Sequence, residues 1–502
     1  MPDQKAPLDL LAAESAWADA ARFLRSRWLI FCGVSALVAA PCFWQRRIEA
    51  GDLASHVYNA WLAQLIERGQ APGLWIARQW NNVLFDWTLS AFASRFGFVA
   101  AEKIAVCAAV LIFFWGAFAL ASAAAGRAAW SVAPCLAMVA YGWTFQMGFL
   151  NYYLSLGFAF FGLALLWRVR GRERIATLAL APLIWLAHPL GLVLLVGACA
   201  WVIVAQRSSW RGHLIAGGAA AAGLVSVRLY ILGNYPVYWP TEPRYFFNGL
   251  DQLLLYGPQY RMAAILLLVL VIFGVSADLV RRRRVGERWI EFVMAAELYA
   301  LALLTILLLP AGIILPRYAA PAGFLHERLS CICAVFACCT LGVVRPRKWQ
   351  CAGFALAAAV FFFYLYRDTA RINRMEEQAE RLVRTIPAGQ RVLATIDPPD
   401  GSRVFIFHIA DRACIGHCFS YGNYEPGSGQ FRVRATQGNR FVTTSMDASF
   451  AIQKGEYTVA LQDLPMFQIY QCKGGVTELC IRELSAGEVN GRTGLDFRTG
   501  AP

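Results

Sequence analysis

Ile104-Ala-Val-Cys-Ala-Ala-Val-Leu-Ile-Phe-Phe-Trp-Gly-Ala-Phe-Ala-Leu-Ala-Ser-Ala123 contains no charged residue, and the uncharged run extends to Gly126. A helix needs about 20 predominantly apolar residues to cross the hydrocarbon core of a bilayer. This run meets that requirement with its flanks already charged, Lys103 on one side and Arg127 on the other. Comparable apolar runs recur along the chain at about 28–44, 98–123, 129–147, 152–168, 175–188, 190–205, 213–233, 261–280, 289–309, 326–344 and 349–366. The stretch from 175 to 205 is too long for one crossing, and His188-Pro189 divides it into two short helices. The predicted fold is a polytopic α-helical membrane protein of about eleven transmembrane helices.

Composition agrees with that reading. Of 502 residues, 58% are hydrophobic and 16% charged, and the mean hydropathy is +0.47. An average soluble chain carries about 25% charged residues. The net charge of +14 does not indicate nucleic acid, because the cations fall in short loops between apolar runs. Arg22–Arg27, Arg127, Arg168–Arg174, Arg207–Arg211, Arg281–Arg288 and Arg345–Lys348 all lie on one side of an eleven-span count. By the positive-inside rule that side is cytoplasmic. The expected location is a bacterial inner membrane, with the N-terminus cytoplasmic. Residues 1–27 read as a cytoplasmic interfacial helix and not as a cleavable signal, because Phe43-Trp44-Gln45-Arg46 follows the first span in place of a small-residue cleavage site. The transmembrane domain spans 28–366 and includes a first exported loop at 45–97.

Residues 367–502 change character and are expected to form an exported, periplasmic soluble domain, small and α/β or mostly β, after a linking helix at 368–385. Arg391-Val-Leu-Ala-Thr395 and Arg403-Val-Phe-Ile-Phe407 alternate as strands do. Cys414, Cys418, Cys472 and Cys480 lie here, an even count in an oxidising compartment, and two disulfides are expected, most simply 414–418 and 472–480. Cys414-x-x-His417-Cys418 also bears a faint likeness to a zinc cluster. The other ten cysteines lie in or beside the spans, as small hydrophobes.

The first exported loop holds the chemistry. In Glu49-Ala-Gly-Asp52-Leu-Ala-Ser-His56-Val-Tyr-Asn59-Ala-Trp61-Leu62, Asp52, His56 and Asn59 recur at helical spacing and share one face. Trp61, Leu62, Leu65 and Ile66 form an apolar face suited to lying on the membrane. Two readings of Asp52 stand side by side: an ordinary helix N-cap, or a carboxylate held at the bilayer edge for proton transfer. Asn81, Asn82 and Asp86, further along the loop, suit acceptor hydroxyls or a solvated helix face equally.

One span, then Gly51-Asp52, His56, Ala60, Leu62-Ala63-Gln64, Ile66 and Arg68-Gly69, then many spans, resembles the GT-C superfamily of membrane glycosyltransferases. Gly148-Phe-Leu-Asn-Tyr-Tyr153 and Leu186-Ala-His188-Pro-Leu190 extend the resemblance over the first 200 residues. It implies an enzyme that takes sugar from a polyprenyl-phosphate-linked donor, with Asp52 at the position of the catalytic aspartate. The acceptor remains open among glycan, lipid and protein. No second acidic pair of the Asp-x-Asp type is present in the loop, so no metal is assigned and no cofactor is expected.

On that reading Asp52 is the general base and His56 and Asn59 line the substrate site. Other polar residues expected on the exported side are His188, Arg228, Arg317, His326, Glu327 and Arg328. Arginine presents a planar fork to a departing phosphate, and Arg317 and Arg328 fit best; the plain alternative is an arginine snorkelling to the interface. For His188 the alternative is a turn histidine bonded to backbone. The aromatic loop 233–247 suits a membrane-interface belt better than a sugar platform. A transporter or flippase of lipid-linked glycan is the rival from another class. It should show internal repeats or intramembrane acids; no repeat is found, and Glu297, in the inner half of its span, has no account.

Overall fold

A computed structural model describes residues 27–169, 171–285, 290–344, 346–472 and 477–491. The expected interfacial helix at 1–27 lies outside them but for its last residue. Among the described residues, seven helices are long and apolar enough to cross a membrane: Phe98–Ala125, Leu150–Arg168, Trp210–Asn234, Tyr260–Arg281, Ile290–Leu308, Leu325–Val343 and Lys348–Val383. Three shorter apolar helices, Trp28–Phe43, Arg174–Ala187 and Pro189–Ala205, join them. The chain is a helical membrane protein.

The expected continuous helix over 129–147 is instead broken into Ala133–Ala140 and Trp143–Gln146. Gly142 stands at the break in a crowded place: an added Cβ there would lie 2.9 Å from the Val139 carbonyl and 3.0 Å from that of Gln252. The segment still joins the two ends of the helix bundle. Arg127, before it, donates to the carbonyls of Gly342 and Val344, whereas Met147, at its close, accepts from the Asp52 amide. Helix Phe98–Ala125 packs on Leu150–Arg168 through glycine: a Cβ on Gly116 would come within 2.3 Å of the Gly157 carbonyl. Small residues of this kind let membrane helices approach backbone to backbone.

The last apolar helix does not stop where hydropathy ends. Lys348–Val383 is one helix of 36 residues, so the expected linking helix is its continuation. Beyond it a four-stranded sheet forms in the order β5-β4-β7-β8, where β4 is Arg391–Thr395, β5 Phe419–Ser420, β7 Met466–Gln471 and β8 Leu479–Leu484. β4 runs parallel to β5 and β7, and β8 is antiparallel to β7. Arg403–Phe407 is not a strand. Its alternation serves docking instead: Arg403 donates to the Asp251 carbonyl, its amide bonds the Leu255 carbonyl, and Phe405 packs 6.4 Å from Phe324. Cys414–Cys418 and Cys472–Cys480 are both disulfide-bonded.

The C-terminal region is joined to the first loop at several points. β1 (Leu74–Ile76), in the loop, pairs antiparallel with β6 (Val433–Ala435). Helix Leu53–Glu67 is buried along Leu53–Ala60, and the Tyr58 hydroxyl oxygen accepts from the Ser420 amide at 2.9 Å. The apolar face expected to lie on the membrane is covered by protein, with Trp61 5.9 Å from Phe419. Beneath this contact sits a charged knot. Arg412 reaches Glu376 at 2.6 Å, Glu102 at 3.6 Å and the Ile48 carbonyl at 3.0 Å; Arg47 reaches Glu380 at 2.7 Å; Asn373 donates to Glu49 at 2.6 Å. The first loop, two long helices and the C-terminal region are thus held by one buried network.

Candidate functional site

The turn before helix Leu53–Glu67 is built by two glycines. Gly51 adopts φ +34°, and a Cβ there would meet the Met147 carbonyl at 2.6 Å. Gly148 adopts φ +77°, and a Cβ there would lie 2.5 Å from the Asp52 amide nitrogen. Left-handed backbone and this close approach both require glycine. The Gly148-Phe-Leu-Asn151 motif therefore positions Asp52 by backbone contact. Asn151 extends the effect by accepting from the Phe85 amide at 2.8 Å and donating to Asp86 at 2.8 Å.

Asp52 stands at the N-cap position, yet its side chain caps nothing. Its Oδ1 lies 3.3 Å from His408 Nε2, and its Oδ2 accepts from the Tyr424 hydroxyl at 3.2 Å. Both partners come from the C-terminal region. His408 Nδ1 meets Asp411 at 2.8 Å, and Ser420 donates to the other oxygen of Asp411. The imidazole thus bridges two carboxylates. Burial by itself would lower its pKa, but Asp411 and Asp52 outweigh burial and raise it to about 10, so the ring is a cation at neutral pH.

A second group lies one helical turn along. His56 Nδ1 contacts Asp86 at 2.7 Å and lies 4.0 Å from Glu425, which accepts from Ser55 at 3.1 Å. Burial works against the charge on His56, but Asp86 and Glu425 carry it to about 9. Glu425 is pushed up to about 7, mainly by burial and against the pull of His56. Asn59 bonds reciprocally with Asn423. Asp52 keeps 22% of its side-chain exposure, while His408, Asp411, His56, Glu425 and Asp86 are at 10% or less. Asp52 is the open member of the cluster. Behind it, a cavity of about 20 Å³ is lined by Glu49, Gly51, Glu376, His408 and Arg412, room for one water.

Arg328 lies within electrostatic range of Asp52. The guanidinium packs 4.5 Å from the Phe149 ring and 5.5 Å from that of Tyr152, whose hydroxyl donates to the Arg328 carbonyl. Its Nε is buried without a hydrogen-bond partner. His188 stands edge-on to Tyr152 at 5.4 Å and accepts from the Leu190 amide through Nδ1. The backbone-bonded reading of His188 is therefore met in geometry, and it still faces the Arg328 side of the site.

The remaining expected site residues stand apart. Arg228 donates to the Leu308 carbonyl and packs on Trp239, as does Arg244, which donates to Leu307; these arginines close the C-terminus of Ile290–Leu308. His326 bonds the Leu309 carbonyl at 2.8 Å. Glu327 keeps a buried carboxylate oxygen without a partner. Arg317 is exposed. Asp86 belongs to the His56 group, Asn82 lends its carbonyl to Asn151, and Asn81 lends its own to Gln79. The sulfurs of the Cys414-x-x-His417-Cys418 motif are bonded to each other, and His417 contacts the Ile386 carbonyl.

Sequence reasoning missed His408, Asp411, Tyr424 and Glu425, which come from a region read only as a domain. No protein-family model, no curated protein and no solved structure matches the chain.

Proposed function

We propose that the chain is an inverting membrane glycosyltransferase of the GT-C type, with Asp52 as general base. The donor is a polyprenyl-phosphate-linked sugar, and the acceptor hydroxyl is glycosylated at the outer face of a bacterial inner membrane. The single observation that carries this reading is the Asp52 carboxylate. It sits at an N-cap yet does not cap, stays open, and is held by an imidazole and a phenol.

In the reaction the acceptor oxygen bonds to the anomeric carbon as the bond from that carbon to the phosphate oxygen breaks. The hydroxyl proton passes to Asp52, and polyprenyl phosphate leaves. The imidazolium of His408 orients the Asp52 carboxylate before the step, and Arg328 is the cation for the departing phosphate. On this reading the chain passes the membrane eleven times, counting the broken segment, with Asp52 and the C-terminal region periplasmic, and the arginine distribution supports that orientation.

The transporter reading leans on Glu297, but this carboxylate is paired with His213 at 2.8 Å, toward the opposite end of its helix from Leu308. The test is sugar transfer from a polyprenyl-phosphate donor by purified protein in detergent. Asp52→Asn keeps shape and hydrogen bonding but cannot take a proton. Transfer should fall by about 10²–10⁴-fold with the melting temperature unchanged. Transfer at the wild-type rate would remove Asp52 as the base.

A further inference from the structure

Arginines gather where the loop before helix Leu325–Val343 meets the C-terminal region. Ala319 donates its amide to the Ser428 carbonyl, and Gln430 reaches the Ala320 carbonyl. Two segments more than a hundred residues apart in sequence are stitched into one rim. That rim carries Arg317 from the loop and Arg432 and Arg434 from either side of the buried Val433, on one face of β6.

Burial holds the Arg434 guanidinium below its ordinary range against the pull of the Tyr318 phenol, and repulsion from the nearby Arg317 adds to it. Arg432 uses one nitrogen on Ser90 at 2.6 Å. No carboxylate forms an ion pair within 4 Å of any of the three among the described residues. Arg432 lies within electrostatic range of the buried Asp86, whereas Arg317 and Arg434 are held near each other as like charges, and that arrangement leaves a place for an anion.

The rim is continuous with the Asp52 site. Arg434 Nε donates to the Phe431 carbonyl, the Phe431 ring meets the Tyr424 ring edge-on at 5.4 Å, and the Tyr424 hydroxyl is bonded to Asp52. Arginine beside half-buried aromatic rings is a surface for a sugar that bears a negative charge, because the guanidinium forks take a carboxylate or phosphate.

We propose that the rim formed by Arg317, Arg432 and Arg434 binds the acceptor, and that the acceptor is an acidic saccharide. This rests on the glycosyltransferase reading for the word acceptor, but the binding itself can be tested without transfer. Titrate the full-length protein in detergent with fluorescently labelled tetragalacturonate and with its fully methyl-esterified form, at two salt concentrations. The acid form should bind at least tenfold more tightly than the ester, and the difference should shrink at high salt.

Arg317→Glu, at an exposed position, and Arg434→Gln should each weaken the acid form at least fivefold without moving the melting temperature. Equal binding of acid and ester, or unchanged binding by Arg317→Glu, overturns the proposal. If both variants bind saccharide as wild type but carry less co-purified phosphatidylglycerol, the rim holds a lipid headgroup and the acceptor assignment is overturned. Asp52→Asn, run in parallel, should bind the acid form normally. Normal binding with undiminished transfer would remove Asp52 as the base while leaving the acidic-saccharide site standing, and normal binding by a wild-type protein that transfers no sugar would fail the glycosyltransferase reading alone.

Discussion

Two of the histidine–carboxylate pairs in this molecule share chemistry but not setting. His408 and Asp52 meet at 3.3 Å across a seam between the first loop and the C-terminal region. His213 and Glu297 meet at 2.8 Å between two membrane helices. The first pair is one link in a chain: Asp411 holds the far side of the imidazole, Ser420 holds Asp411, Tyr424 holds the second oxygen of Asp52, and Arg328 lies within its electrostatic range. The second pair ends where it begins, because His213 Nε2 is buried without a partner. Its helix, Trp210–Asn234, has no buried residue in its most apolar stretch. The pair reads as a staple that keeps a peripheral helix attached. Exposure does not separate the two carboxylates, 22% for Asp52 and 23% for Glu297; what separates them is that several groups orient the first, which prepares it to exchange a proton, and one partner holds the second.

The comparison depends on the seam, so the largest effect should come from opening it. Arg412→Ala would leave Glu49, Glu102 and Glu376 buried without their central cation. Breaking a buried ion network in this way costs about 3–5 kcal/mol. The expected result is a large fall in melting temperature, early proteolysis of the C-terminal region and loss of transfer. A stable, active Arg412→Ala protein would mean that the C-terminal region does not complete the site.

Removing one link should cost less. His408→Gln keeps a donor for Asp52 but loses the charge and the hold of Asp411. Charge-assisted hydrogen bonds contribute about 1.5–3 kcal/mol, so transfer should fall by about ten- to a hundredfold. Asp411→Asn should reproduce part of that loss, and it should shift the pH dependence of the rate, which a change of packing alone would not. If His408→Gln retains full activity with an unshifted pH profile, the imidazole is packing and nothing more.

The same residues make the seam sensitive to alkali. His408, raised to about 10, and His56, raised to about 9, both start from about 6.5 when free. The stability each contributes is therefore complete below about pH 6.5 and is lost as pH rises through its folded value. Glu425, raised to about 7 from 4.5, acts in the same direction at lower pH. Melting temperature should fall between pH 6.5 and 10, and His408→Gln should flatten the upper part of that fall. A flat profile in the wild-type protein would contradict the assignment of both imidazoles as cations.

How much of this was readable beforehand follows from where each signal lies. The long apolar helices and the Gly51-Asp52 turn were legible because their causes are local: hydropathy over about 20 residues, and glycine where the backbone turns left-handed. The break at Gly142 was not, since the crowding there involves the Gln252 carbonyl more than a hundred residues away. His408 was hidden for a similar reason. Phe405-Ile406-Phe407 alternates like a strand, and nothing in that stretch points to Asp52, 356 positions earlier. A simple inventory would have helped. The chain has six histidines, and the two left out of the sequence argument, His213 and His408, are the partners of Glu297, the acid that had no account, and of Asp52.

The smallest predicted effect tests the other half of the comparison. Glu297→Gln replaces a carboxylate by an amide whose carbonyl can still accept from His213 Nδ1–H. Side-chain hydrogen bonds between membrane helices average about 0.6 kcal/mol, and the substitution weakens this one without deleting it. Melting temperature should therefore move little, and transfer should stay within about twofold of wild type. Glu297→Ala deletes the bond and should lower the melting temperature further while still sparing transfer, because the pair lies toward the opposite end of its helix from Leu308, whose carbonyl Arg228 closes. If Glu297→Gln abolishes activity while the melting temperature holds, the carboxylate is not a staple. It would then be a working intramembrane acid, which is the feature a transporter requires.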